Sequence, residues 1–227
     1  MMSDAKPVVT GHETSDRERE ESREERKAQS RRRILESARE VFFRDGFMSA
    51  NLDEVAERAG VAKGTLYRYF DSKADLYVAV LADNGRVFTD RMRDTAGEAG
   101  TPVERIERLS RFYLDHWLSH RDYFQIFWAI DNQSVIGTLP APVVDEVSRL
   151  WEESLSILEG VLAEGVKSGE IVECDTWAAA NILWTVATAV IQSESTEARR
   201  QLRRTSLEQL YDGTLSLLIT GLTRPRS

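Results

Sequence analysis

The chain has 227 residues, 41% of them hydrophobic and 30% charged, with a net charge of −8 at pH 7, so it suits one large or two small domains with a sizeable core. No run of roughly 18 apolar residues escapes polar interruption and the N-terminus is polar, so neither a membrane span nor a signal peptide is indicated. The single cysteine, Cys174, excludes an internal disulfide and suits a reducing cytoplasm.

Charge is unevenly spread. Residues 27–73 hold ten Lys/Arg against seven Asp/Glu, whereas residues 98–198 hold six against seventeen. An acidic total therefore leaves room for a mildly basic N-terminal part that meets nucleic acid.

Residues 1–26 are polar and nearly without large apolar side chains, with five Lys/Arg against eight Asp/Glu, and read as a disordered arm. Arg31-Arg32-Arg33 then opens an amphipathic helix with Ile34, Leu35, Ala38, Val41 and Phe42 on one face. Arg33 and its neighbours can clamp phosphates or serve as ordinary surface charge.

Residues 46–73 carry most of the functional information. Asn51 is placed to cap a short helix, Leu52–Ala59, with its side-chain oxygen. Gly60 ends it by accepting a left-handed turn. A second short helix, about Ala62–Phe70, carries Lys63, Gly64, Thr65, Tyr67, Arg68 and Tyr69. Val55, Val61 and Leu66 can fill the space where the two helices cross, and Ala56 and Gly60 keep the crossing close. This pattern predicts a helix-turn-helix whose second helix enters a DNA major groove. Lys63 and Thr65 stand near its start, where donors reach base edges, and Gly64 lets the backbone approach. Tyr67, Arg68 and Tyr69 can reach a phosphate or a base.

Ser72 reads as the cap of a connecting helix over about 73–93, and residues 94–102 (DTAGEAGTP) as the break before a second domain. Helical spacing then continues through Ile106 to His120, through a short aromatic segment with Tyr123, Phe124, Phe127 and Trp128, and from about Val143 to Lys167, where Gly169 closes the helix. Ser134–Pro142 reads as a loop. Asp175 caps a charge-free helix, Thr176–Gln192, and a last helix spans about Thr205–Leu222. Without strand-like alternation, the expected fold is all-α. The expected organisation is an arm at 1–26, a DNA-binding domain at 27–72, a connecting helix at 73–93 and a ligand-binding and dimerisation domain at 94–227.

The run Arg33-Ile34-Leu35, Ala38, Val41-Phe42, Gly46-Phe47, Val55-Ala56, Ala59-Gly60-Val61, Lys63-Gly64-Thr65-Leu66-Tyr67, Tyr69-Phe70 and Ser72-Lys73 resembles, in order and spacing, the N-terminal domain of the TetR family of bacterial transcriptional regulators. The remainder matches that family only in being helical. The resemblance implies that Lys63, Thr65, Tyr67 and Tyr69 stand where DNA is commonly contacted, and Lys73 where a phosphate is often met. Two positions depart from the pattern. Ala50 stands where a phosphate-binding threonine is frequent, and Ala62 where a serine often caps the reading helix.

The charge-free helix 176–192 and the glycine-bearing helix 205–222 suit pairing across a two-fold axis, the way TetR-like proteins dimerise. A lone monomer would expose apolar faces. The competing reading makes helix 176–192 the centre of a monomer's core. A dimer presents two reading helices to a palindromic operator with half-sites roughly 34 Å apart or more. His116, Trp117, Phe124, Phe127, Trp128, Trp151 and Trp184 can line an apolar cavity for a small hydrophobic, aromatic or cationic effector, though each alone is ordinary core.

His116 and His120 share a helix face, but His12 lies far off and no further ligand accompanies them, so no metal site is expected. No phosphate loop or nucleophile context appears, and neither enzymatic chemistry nor a cofactor is expected. The expected function is a cytoplasmic, homodimeric, effector-responsive transcriptional repressor. The alternative is a helical small-molecule-binding protein with a weakened DNA reader.

Overall fold

The computed structural model describes residues 11–124 and 140–223, with side chains from residue 22 onward. Its helices are α1 (Gly11–Ser49), α2 (Leu52–Arg58), α3 (Lys63–Tyr69), α4 (Lys73–Gly97), α5 (Pro102–Ser119), α6 (Ala141–Ser168), α7 (Thr176–Gln192), α8 (Glu197–Arg203) and α9 (Leu207–Leu222). Residues 121–124 are also helical. Among the described residues no strand forms, and one isolated antiparallel bridge links Ile171 to Thr223. The fold is all-α.

The chain divides into two compact units at Val80/Leu81, inside α4. In the first, α1 begins at Gly11, so residues 11–26 are helical rather than a disordered arm. Arg and Glu have good helix propensity, and ion pairs one turn apart support such a helix in water. Glu24 and Lys27 form one such pair at 3.8 Å. Gly46 interrupts α1 with φ +73°, a value that glycine adopts freely. Phe47 thereby returns to the core and packs against Tyr77 at 5.0 Å between ring centroids, with Phe42 4.8 Å from the same ring. Ile34, Ala38, Val41, Val55, Leu66 and Leu76 are buried around them.

In the second unit α5 packs on α6, α6 on α7, and α7 on α9. Thr101 and Glu104 close a capping box on α5, Asp175 caps α7 and Ser206 caps α9, each satisfying N–H groups that a helix start leaves open. The sequence reading missed α8, a short helix of mixed charge, and began the last helix at Thr205, two residues before Leu207. Gly85 lets α4 approach α6: a Cβ there would lie 2.5 Å from Leu150 Cδ1. Helix α7 is not enclosed by its own chain. Leu183, Trp184 and Ala187 are buried, while Trp177 and Ile182 are exposed.

The loop expected at Ser134–Pro142 lies mostly outside the described residues, as do Phe127 and Trp128. Among the described residues no helix is long and apolar enough to cross a membrane.

Candidate nucleic-acid interface and effector cavity

Asn51 accepts a hydrogen bond from the Asp53 backbone N–H at 2.9 Å, and so is occupied as the α2 cap. Gly60 makes the turn with φ +64°, and the Arg33 guanidinium lies 3.6 Å from where a Cβ would stand. Helix α3 then divides its residues sharply. Leu66 and the closing Phe70 are buried, whereas Lys63, Gly64, Tyr67 and Arg68 are exposed and Thr65 and Tyr69 half-exposed. Among the described residues nothing comes within 4 Å of where a Cβ would stand at Gly64. The result is one polar, donor-rich face on a short helix held from behind by apolar contacts.

Ala62 leaves the start of α3 without a side-chain cap, as the missing hydroxyl implies. Ala50 is buried, so its methyl belongs to the core. Two lysines are already engaged. Lys63 Nζ pairs with Asp53 at 2.6 Å, which raises its pKa. Lys73 Nζ donates to the Met48 carbonyl at 2.9 Å and stands 5.3 Å from the Phe47 ring centroid, and partial burial lowers its pKa. An ammonium carries three donors, so each lysine keeps capacity for another acceptor.

Sequence reasoning missed the ion pairs that brace α2. Arg44 bonds Glu54 at 2.7 Å, and Arg58 bonds both Glu54 and Glu40 at 2.8 Å. Arg44 and then Arg58 hold the Glu54 carboxyl down at about 2. Only the i,i+4 spacing of Glu54 and Arg58 was visible beforehand. The other partners are brought together by the turn.

In the second unit a small apolar cavity of about 30 Å³ is lined by α4, α5, α6, α7 and α9. Met92, Ile106, Leu109, Leu158, Leu183 and Leu215 supply aliphatic walls, Trp184 a ring, and Tyr113 and Tyr211 hydroxyls. Tyr113 Oη bonds Thr188 Oγ1 at 2.7 Å, and Tyr211 Oη donates to the Ser110 carbonyl at 2.9 Å. Burial pushes both phenols well above their ordinary range. Among the described residues no carboxylate lines this cavity.

Of the aromatic residues singled out from the sequence, Trp184 alone among the described residues lines it. Trp117 and Phe124 border a separate groove beside Arg121 and Arg199, and Trp151 is half-buried on α6. His116 packs against Phe88 at 4.8 Å and Trp117 at 4.9 Å and faces yet another groove. The aliphatic lining was unmarked in the sequence because leucines at helical spacing look like any core. Among the described residues no cluster suited to a metal ion occurs.

Residues 34–80, which include this helix-turn-helix, match the family model for bacterial regulatory proteins of the tetR family. Over 200 residues the chain is 27% identical to the fatty acid metabolism regulator protein of Bacillus subtilis, covering 83% of this chain and 93% of that protein. It is 31% identical over 147 residues to YhgD of the same organism, an uncharacterized HTH-type transcriptional regulator, covering 63% of this chain and 72% of the relative. The transcriptional regulator FadR from Bacillus subtilis, solved in complex with stearoyl-CoA, shares the fold with a TM-score of 0.68 at 24% identity, covering 84% of this chain and 98% of that one. These relatives regulate transcription rather than catalyse reactions. With its helix-turn-helix, its all-α architecture and these matches together, the chain belongs to the TetR family of bacterial transcriptional regulators.

Proposed function

We propose that the protein is a cytoplasmic, homodimeric repressor that reads a palindromic operator through α3 and leaves it on binding a hydrophobic effector. The observation that carries the DNA reading is the division of α3, with Leu66 inward and Lys63, Gly64, Tyr67 and Arg68 outward. In this reading Lys63 and Thr65 meet base edges, Tyr67, Arg68 and Tyr69 meet bases or phosphates, and Arg33 and Lys73 add phosphate contacts. Asn51 acts by shaping α2.

The dimer surface is proposed on α7 and α9. Ala178, Ile182, Thr185 and Ala189 recur along the exposed side of α7 without a charge, and Leu217 is exposed on α9. Among the described residues nothing comes within 4 Å of where a Cβ would stand at Gly213 or Gly221 of α9, which leaves room for a second helix close to the backbone.

For the effector, the cavity's aliphatic walls and lack of carboxylates favour an apolar molecule over a cation. A long acyl chain, carried as a thioester, matches both the chemistry of these walls and the stearoyl-CoA held by the Bacillus subtilis FadR. Admitting it requires the helices to part, because the cavity holds only about 30 Å³ in this structure. A ligand that prefers the conformation unable to span both half-sites shifts the population off DNA by that preference.

The test is fluorescence anisotropy with DNA from the region upstream of the protein's own gene. Salt-dependent, sequence-specific binding is expected, reversed by stearoyl-CoA. Lys63→Ala combined with Tyr67→Ala should abolish specific binding while leaving the dimer intact. Normal acyl-chain binding without any DNA affinity at low salt would instead establish a small-molecule-binding protein with a weakened reader.

A further inference from the structure

We propose a second ligand site, a groove between α4 and α5 that binds a small oxyanion, carboxylate or phosphate, and that shares no lining residue with the apolar cavity. Arg91 and Thr95 of α4 border it, together with Arg108, Arg111, Phe112 and His116 of α5. Three observations point to an anion.

The first is an orphaned donor. His116 is only 2% exposed, yet among the described residues neither of its ring nitrogens has a hydrogen-bond partner. Buried polar groups are nearly always satisfied, so a lone unsatisfied imidazole needs a reason. Its ring is neutral and therefore carries one N–H to offer. His120 does not take it: the two rings are stacked 4.4 Å apart at 19°, so an in-plane N–H of one does not point at a nitrogen of the other, and His120 Nδ1 donates instead to the His116 carbonyl at 2.8 Å.

The second is unspent positive charge. Arg86, Arg93, Arg105, Arg108, Arg149 and Arg203 of this unit are ion-paired, whereas Arg121, Arg199, Arg200 and Arg204, none of which borders this groove, have no ion pair among the described residues. Arg91 and Arg111 have no ion pair among the described residues, although both border the groove. Of the groove's two carboxylates, Glu98 is taken by Arg108 at 3.1 Å, which leaves Asp115 alone against two free guanidiniums.

The third is positioning. The Arg91 guanidinium stands 5.3 Å from the Phe112 ring centroid, which holds a long side chain at the groove's edge before any ligand arrives. The Phe112 ring in turn lies 5.7 Å from the His116 ring. An oxyanion there would accept from His116 and receive forked donors from arginine, the geometry that suits carboxylate and phosphate.

The experiment uses the full chain at pH 7. Inorganic phosphate and acetate are titrated separately at constant ionic strength, with chloride making up the balance. Ring-nitrogen NMR follows the three histidines, with the His116 signal assigned by its loss in H116F. A saturable shift of that signal with either anion is expected, and whichever anion acts identifies the ligand as a carboxylate or a phosphate. R91Q and R111Q should each weaken binding by about tenfold or more, and R111K, which keeps charge but loses the fork, by less. Thermal unfolding of each variant checks that it remains folded. A His116 signal that responds no more to phosphate or acetate than to chloride overturns the proposal, whatever the variants do. So does equal binding by both folded glutamine variants.

Discussion

The burial of His116 makes the stability of the C-terminal unit depend on acid. Desolvation first, then the charges of His120 and Arg91, lower its pKa from 6.5 to about 3. The unfolded chain, with the ordinary value, takes up a proton more readily than the folded one. Stability from this residue is therefore fully present above about pH 6.5 and lost at roughly 1.4 kcal/mol per pH unit on the way down to about 3. Between pH 7 and pH 5 the loss is roughly 2 kcal/mol.

His116→Phe removes the titration while keeping a ring among Phe88, Phe112 and Trp117. All five tryptophans lie beyond residue 81, so their fluorescence in urea reports this unit alone. Carboxylates that titrate in the same range act alike in both proteins and cancel in the double difference. At fixed protomer concentration the variant should lose about 2 kcal/mol less than the natural protein between these pH values. The reasoning is refuted if both lose the same amount, or if NMR shows His116 titrating near 6.5 in the folded chain.

Three further outcomes follow from the geometry. Asp53→Asn releases Lys63 from its 2.6 Å ion pair and should tighten DNA binding severalfold at low salt, whereas Lys63→Ala should lower the salt slope of binding by about 1; anisotropy across a salt series checks both, and weaker binding by a folded Asp53→Asn protein would mean that Asp53 itself reads a base. Ala62→Ser supplies the cap that α3 lacks and should stabilise the N-terminal unit by about 1 kcal/mol in thermal unfolding followed by circular dichroism. Gly85→Ala should destabilise by about 1–3 kcal/mol in urea unfolding despite alanine's better helix propensity, because its Cβ would meet Leu150 at 2.5 Å, and adding Leu150→Ala should recover little of that, since it exchanges overlap for a cavity.

The two halves of this regulator were unequally legible, and the reason is physical. The DNA-binding half is built from local rules. Asn51 caps the helix that immediately follows it, Gly60 turns three residues before α3, and Leu66 and Phe70 face inward one turn apart. Each rule acts within a few residues, so the order of side chains alone determines which face of α3 is free. Where that half reached further it was opaque. The Arg44–Glu54 contact joins residues ten apart across the turn, and the Arg/Glu run at 17–26 satisfies the composition of a disordered arm and of a solvated helix equally well.

The cavity half obeys no such short rule. Tyr211 Oη meets the Ser110 carbonyl across 101 positions, and the walls come from five helices. Aromatic residues drew attention because they are rare, yet the walls are mostly aliphatic and indistinguishable in sequence from ordinary core. His116 shows the same division within one side chain. Its i,i+4 spacing with His120 correctly put both on one helix face, which is a local fact. Whether its nitrogens find partners depends on what α4 sets against that face, and there Phe88 offers a ring with no hydrogen-bonding atom while Arg91 brings a charge to the groove's edge. A histidine left unsatisfied by its own fold can be recognised only once the neighbouring helix is in place. That is why a position that looked like a poor metal ligand becomes the donor of an anion site.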